Sequence, residues 1–320
     1  MVGRIVKGKI VIINPDYEPV IERKIINEAG FEFISAQCSS EDEVIAAAQD
    51  ALGIINIYAE ITEKVAKEIK KCKIIARAGV GYDMINVKAC RENGIEVCNL
   101  PDYCTEEVAD HTVALLMAVQ RRLLQHHGNI MAGKWVDTLA GPMRRLNTLT
   151  LGIIGFGLIG RRFAAKMKEI TPQILAYDPF ISDDFFGKAG VKRASLDDIR
   201  YNSDIISLHC PLTPETRHVI SAEVIRRFNR KPILINVSRG GLIDTPALIA
   251  GLKSGTITGA GLDVLETEPD VPPELSALSN VILTPHAAWY SIESDFEDRT
   301  RPAEEILRVL RAEPPRNPVP

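Results

Sequence analysis

Short β-rich apolar runs alternate with amphipathic stretches along the first hundred residues. The runs occupy 9–13, 31–34, 53–57, 73–76 and 96–99, and helical patterns fill the gaps at 20–29, 41–51, 62–70 and 87–93. Gly30 and Gly94 stand where helix C-caps belong. A strand–helix alternation of this kind predicts a parallel sheet covered by helices.

A second series begins near residue 100. A helix is predicted over 105–120, with Thr105 as N-cap and Glu106 and Glu107 in the first turn, where the macrodipole favours acids. Strands are predicted at 150–155, 174–178, 204–210, 233–237, 259–264 and 281–284. Thr245-Pro246 reads as an N-cap followed by Pro at N1, opening a helix that ends near Lys253. The last helix is predicted at 291–311. Residues 313–320 hold four prolines in eight positions and read as a frayed tail.

Length and composition narrow the class. At 320 residues the chain exceeds one ordinary core and suits two domains. It is 46% hydrophobic and 25% charged with a formal net charge of -4, which fits a soluble globular protein and offers no basic field for nucleic acid or anionic membrane. Residues 1–9 are short and polar, without a signal-peptide apolar region, and no apolar run approaches the roughly 20 residues of a membrane helix. The cysteines, at 38, 72, 90, 98, 104 and 210, form no CxxC pair. Reduced, mostly buried thiols in a cytoplasmic protein are expected, with no zinc site and no disulfide framework.

The candidate chemistry starts at Gly155-Phe156-Gly157-Leu158-Ile159-Gly160. This G-x-G-x-x-G sits between an apolar strand run and an amphipathic helix. The first glycine permits a tight turn, the second lets backbone amides approach a pyrophosphate, and the third allows close helix–strand packing. The next strand ends in Asp178, 18 residues after Gly160. A carboxylate there accepts from ribose hydroxyls and repels a 2′-phosphate, so NAD is expected over NADP. Phe180, two residues on, supplies no compensating arginine.

Three further residues follow predicted strand ends in the same sheet. Arg239 follows 233–237, Glu268 follows 259–264, and His286 follows 281–284. Reduction of a 2-oxo acid needs this set. A guanidinium forks onto the carboxylate and polarises the carbonyl. An imidazole titrates in the range that serves a forming alkoxide, and a neighbouring acid orients it and favours its protonated form. Each residue alone has a plain alternative as a surface ion-pair partner, a solvated loop acid or a loop histidine. His111, His126, His127, His209 and His218 lack this conjunction.

The chain closely resembles the D-isomer-specific 2-hydroxyacid dehydrogenases over nearly its whole length. The resemblance runs through 78–83 (AGVGYD), 105–110 (TEEVAD), 155–160, 209–213 (HCPLT), 236–244, 262–269 (LDVLETEP) and 284–286 (TPH). It implies an α/β fold of two doubly wound parallel-sheet domains, a flavodoxin-like substrate domain and a Rossmann NAD domain, with a cleft between them. The substrate domain would take 1–100 and 291–320, and the NAD domain 101–290. The resemblance implies Arg239 as substrate clamp, His286 as acid/base and Glu268 as its partner. It implies cofactor contacts at Thr105, Gly155, Gly157, Leu158, Ile159, Gly160, Asp178, His209, Cys210, Pro211, Thr216, Val237, Ser238, Arg239, Asp263, His286 and Ala288, with Asp263 reaching the nicotinamide amide. Val80 and Gly81 would cradle the substrate carboxylate through backbone amides. Arg77 would add a second cation and Trp289 would roof the pocket. These last features resemble the C-terminal-binding-protein branch of the family, beside its phosphoglycerate dehydrogenase-like members. The 120–146 region, with Gly133-Lys134-Trp135, looks like the family's dimerisation arm and implies a homodimer.

The leading expectation is therefore an NAD-dependent D-2-hydroxyacid dehydrogenase whose partner is a small 2-oxo or 2-hydroxy acid, without metal. The alternative is an NAD-binding dimeric scaffold of corepressor type, which would need none of the three catalytic groups. Which acid is used depends on positions near Tyr58, residues 77–80, Tyr103 and Trp289, and no cation cluster stands out for a phosphorylated substrate.

Overall fold

The computed structural model describes residues 7–320. Most of the polar N-terminal stretch noted above lies outside the described residues. In chain order the elements are β1 (Lys9–Ile13), α1 (Val20–Glu28), β2 (Glu32–Ala36), α2 (Glu41–Ala48), β3 (Ala51–Asn56), α3 (Glu63–Glu68), β4 (Ile74–Arg77), α4 (Val87–Glu92), β5 (Glu96–Cys98), α5 (Thr105–Gln120) and α6 (Leu123–Met131). They continue with β6 (Thr150–Ile154), α7 (Leu158–Met167), β7 (Gln173–Tyr177), α8 (Asp183–Ala189), β8 (Lys192–Arg193), α9 (Leu196–Asn202), β9 (Ile205–Leu208) and α10 (Ala222–Arg226). The last are β10 (Ile233–Asn236), α11 (Thr245–Ser254), β11 (Gly259–Leu262), α12 (Pro273–Ser276), β12 (Val281–Leu283) and α13 (Ile292–Leu310). The chain divides into two compact units, one of residues up to Cys104 with Ser291–Pro320, the other Thr105–Tyr290.

The first unit is a parallel sheet of order β2-β1-β3-β4-β5. Side chains alternate across a strand, and β1 shows the consequence. Val11 and Ile13 join Val44, Val65 and Ala89 of α2, α3 and α4 on one face. Ile10 and Ile12 join Ile26 of α1 and Ile306 of α13 on the other. Gly53 in β3 makes room for α13, because a Cβ there would lie 2.5 Å from Ile306 Cγ2. The helix α13 opens with Ser291, whose hydroxyl accepts from the Ser294 amide, and carries Pro302 buried in its interior.

The proline-rich tail is not frayed. Val319 is buried, its amide donates to Val97 O (2.9 Å), and Pro318 bridges Cys98 in antiparallel sense. Asn317 O accepts from the Asn99 amide, and Arg91 reaches Val319 O. The prolines lack amide donors, but the residues between them supply the pairing. The tail thus covers β5, an edge strand whose free backbone groups need a partner.

The second unit is a parallel sheet of order β12-β11-β10-β9-β6-β7-β8. The order reverses between β6 and β9, which makes that pair the topological switch point where open α/β sheets bind ligands. None of the six cysteines forms a disulfide, and five are buried.

Candidate active site

The switch point is occupied by the glycine turn. Gly155 leaves β6 with φ of +94°, and a Cβ on it would stand 2.4 Å from the Cys210 amide nitrogen. A Cβ on Gly160 would stand 2.2 Å from Gly155 O, so this glycine lets α7 close on the turn. Gly157 differs from both: its Cβ direction meets nothing within 4 Å. Two glycines are therefore required by packing, and the middle one faces open space beside the N-terminus of α7, where an anion is favoured. Asp178 spans the mouth of the turn. Its Oδ2 accepts from the Phe156 amide (2.8 Å) and its Oδ1 from the Phe180 amide (2.9 Å), which leaves lone pairs on both oxygens for hydroxyl donors.

Thr105 Oγ1 and His209 Nδ1 are buried polar atoms with no hydrogen-bond partner among the described residues, and the His209 backbone packs against Gly155. Both residues belong to the set implied by resemblance for the cofactor. An unpaired buried polar group costs about 1–3 kcal/mol, so these orphans fit a dinucleotide that would satisfy them. His209 bonds Ser207 Oγ through Nε2 (2.8 Å), and burial pulls its pKa down to about 3, which keeps the ring neutral. Burial likewise pushes the Cys210 thiol up to about 12. Ser238 and Thr216 have hydroxyls already committed to the protein. Ser238 Oγ donates to Cys210 O (2.6 Å), and Thr216 Oγ1 donates to Pro211 O (2.7 Å) while accepting from the Thr213 amide.

The catalytic candidates all lie in the second unit, beyond the carboxyl ends of β10, β11 and β12. At the end of β10, Asn236 Oδ1 accepts from the Ser238 amide and its Nδ2 donates to Arg239 O (2.9 Å), folding a side-chain turn that sets Arg239. Asp263 follows β11 and is buried. Its Oδ1 accepts from Thr284 Oγ1 (2.6 Å) and the Ala287 amide (2.9 Å), its Oδ2 accepts from the Ala288 amide (2.9 Å), and its carbonyl accepts from the His286 amide (2.8 Å). Asp263 thereby builds the turn that holds His286 at φ of +54°, a left-handed conformation that costs an L-residue roughly 1–2 kcal/mol.

His286 Nδ1 donates to Glu268 Oε2 at 2.8 Å, and Glu268 Oε1 accepts from the Leu265 amide at 2.9 Å. Burial raises the Glu268 pKa, but the His286 bond and charge, the Leu265 amide and the Arg239 charge outweigh it and bring it below its ordinary value. An ionised Glu268 accepts the Nδ1 proton and leaves Nε2 as the reactive nitrogen, on a side chain that is 43% exposed. Trp289 stacks edge-on against Tyr290 with centroids 5.5 Å apart.

In the first unit, the turn after β4 carries the residues assigned by resemblance to the substrate carboxylate. Its carbonyls are tied back: Gly79 O accepts from the Leu100 amide (3.0 Å), Val80 O from Asn99 Nδ2 (2.6 Å), and Gly81 O from Arg77 Nε (2.8 Å). Among the described residues, neither the Val80 nor the Gly81 amide finds an acceptor. Arg77 was expected as a second cation for the substrate. Its Nε donates to Gly81 O, and its guanidinium stays beside this turn, 2.7–2.9 Å from where a Gly79 Cβ would stand.

Sequence reasoning passed over three residues near these sites. His111, in the interior of α5, places Nε2 2.9 Å from Thr284 Oγ1 and 3.6 Å from Asp263 Oδ1, behind the His286 turn. His218 bonds Glu266. Arg193 reaches Asp178 O at 3.4 Å from β8, with its guanidinium paired to Asp183. A two-residue strand carries no periodicity that could have revealed it.

The strand order, the glycine turn and the acid after β7 define a dinucleotide-binding unit of the dehydrogenase class. Residues 113–288 match the model of the NAD-binding domain of the D-isomer specific 2-hydroxyacid dehydrogenases. The chain belongs to that family. It is 40% identical over 285 residues to a glyoxylate reductase of Korarchaeum cryptofilum, covering 87% of this chain and 85% of that one. It is 37% identical over 307 residues to a D-3-phosphoglycerate dehydrogenase of Methanocaldococcus jannaschii, covering 95% of this chain but only 58% of the relative's length. A solved acyclic imino acid reductase in complex with NADPH and D-Arg superposes with a TM-score of 0.87 at 30% identity, covering 98% of this chain and all of that one.

Proposed function

We propose that the chain is an NAD-dependent D-2-hydroxyacid dehydrogenase that interconverts a small 2-oxo acid and its D-2-hydroxy acid. The observation that carries this reading is the 2.8 Å His286–Glu268 pair with Nε2 left open, in the same unit as the glycine turn and Arg239. NADH, when bound, supplies the hydride that C2 receives. Arg239 holds the carboxylate and draws electron density toward the carbonyl oxygen. As the C=O π pair moves onto that oxygen, His286 gives it the Nε2 proton, and the remaining Nδ1–H stays on Glu268. Solvent returns the proton to Nε2. In the oxidative direction neutral His286 takes the hydroxyl proton.

Asp178 supports NAD over NADP, since its carboxylate would lie against a 2′-phosphate. The Val80 and Gly81 amides are assigned to a carboxylate, with Arg77 as the brace of their turn. A homodimer through 120–146 is supported by the apolar surface there: Leu123, Leu124, Met131, Val136 and Leu139 are exposed, and Trp135 is 87% exposed. No helix among the described residues is long and apolar enough to cross a membrane. The six cysteines, none of them in a disulfide, support a reducing, cytoplasmic setting.

The test is a panel of 2-oxo acids with NADH and NADPH, run on the wild type, Arg239→Leu and His286→Gln. Substrate-dependent oxidation of NADH that both substitutions abolish supports the reading. Absence of turnover across the panel refutes it.

A further inference from the structure

The segments that carry Arg239 and Glu268 are joined by a clasp that takes no part in the chemistry above. Gly240 packs backbone to backbone on Leu265, where a Cβ would stand 1.9 Å from the Leu265 carbonyl. One residue further along each segment, the clasp closes. His218 donates its amide to Gly241 O (2.9 Å), and its Nε2 bonds Glu266 Oε1 at 2.7 Å. The other oxygen, Glu266 Oε2, accepts from Thr245 Oγ1 (3.0 Å) and the Thr245 amide (3.3 Å). Ile220 then extends the seam: its amide donates to Leu242 O and its carbonyl accepts from the Asp244 amide.

A single carboxylate thus ties three segments together: 217–220, 239–245 and 264–268. Arg239 lies two residues before Gly241, and Glu268 lies two residues after Glu266. The amide next to Glu266, that of Leu265, is the one that fixes Glu268 Oε1. Glu266 has three donors on its two oxygens, and its side chain is 24% exposed. A solvated surface pair would not be so arranged, and charge-assisted bonds of this kind carry geometric precision. We infer that His218 and Glu266 are positioning residues, which set the spacing of Arg239 from the Glu268–His286 pair. The inference rests on the dehydrogenase reading for its kinetic meaning, but the clasp itself is a statement about loop order.

Ionised Glu266 accounts for the clasp electrically. Burial raises its pKa, and the bonds from His218 and Thr245 outweigh that and lower it. Removing the charge therefore weakens both halves together.

The experiment compares Glu266→Gln, His218→Leu and His218→Gln with wild type. Gln at 218 restores a donor near the Nε2 position, while Leu does not. With the best 2-oxo acid of the panel, Glu266→Gln and His218→Leu are expected to raise its KM and lower kcat/KM at least tenfold. NADH affinity should change less than twofold, and His218→Gln should recover most of the loss. Hydrogen exchange provides the readout that does not depend on turnover. Amides 240–243 should exchange faster in Glu266→Gln, while those of β6 keep their protection. Unchanged exchange at 240–243, or equal loss in both His218 variants, overturns the inference. If the wild type reduces no 2-oxo acid, the dehydrogenase reading falls, and the exchange result still decides the clasp.

Discussion

Replacing Asp263 with Asn separates two jobs that this residue could do. Its carboxylate accepts three bonds, from Thr284 Oγ1, the Ala287 amide and the Ala288 amide. Asn with its oxygen at the Oδ1 position keeps the first two and turns an NH2 toward the Ala288 amide. Ala288 is buried, so that amide loses its partner without gaining water. An unpaired buried donor costs about 1–3 kcal/mol, and because the bond lost was to a charged acceptor the cost lies in the upper part of that range, about 2–3 kcal/mol. At about 2–4 °C per kcal/mol for a domain of this size, the cofactor-free protein should melt about 4–12 °C lower. The same bonds hold His286 at its left-handed φ. Letting it relax releases roughly 1–2 kcal/mol, so the histidine should leave its reactive position and kcat should fall about tenfold. The assay is a thermal melt without cofactor, paired with steady-state kinetics and an NADH titration. If the cofactor-free melting temperature holds within about 1 °C while NADH affinity drops, Asp263 serves the nicotinamide and not the turn, and the reasoning fails.

Three other perturbations follow from the same geometry. Glu268→Gln should lower kcat, and it should also flatten the acid limb of stability. The folded-state pKa of Glu268 is depressed, so its contribution is full above the unfolded value near about 4.3 and is lost as pH falls through the folded value. Melting curves of wild type and variant should therefore converge at low pH, and a gap that stays constant to pH ~2 would contradict this. Asp178→Ser removes the charge that opposes a 2′-phosphate, and the NADPH-to-NADH ratio of kcat/KM should rise about 10–100-fold; an unchanged ratio assigns the selectivity elsewhere. Val319→Asp places a charge where a buried Val covers β5, forfeiting roughly 1.5–3 kcal/mol of apolar burial. The melting temperature should drop by several degrees, whereas a frayed tail would leave it unmoved.

Most strands of both sheets were legible because a short apolar run bounded by turns has few other uses; β8, two exposed basic residues, offered no such run. The glycine turn was legible for a similar reason: Gly155 and Gly160 are required by contacts of 2.4 and 2.2 Å, which local spacing encodes. Order along the chain also placed Arg239, Glu268 and His286 after β10, β11 and β12. What the sequence hid were contacts made at long separation. Composition alone made residues 313–320 a loose tail, yet the partner of Val319 is Val97, far away in the chain. That Arg77 also braces its own turn, through Nε to Gly81 O, was hidden because nothing in the local pattern names that acceptor. His218 and His111 were set aside as isolated, since Glu266 and Thr284 approach them only in the folded chain.

The central claim is that His286, held by Glu268, transfers the proton in a 2-oxo acid reduction. It is tested most directly by kcat of His286→Gln against wild type, with NADH and the best substrate of the panel, after both proteins are shown to melt alike. The account predicts a loss of about 10²–10⁴-fold, the range of a general acid, with NADH binding retained. A His286→Gln enzyme that turns over within a few-fold of wild type would contradict it.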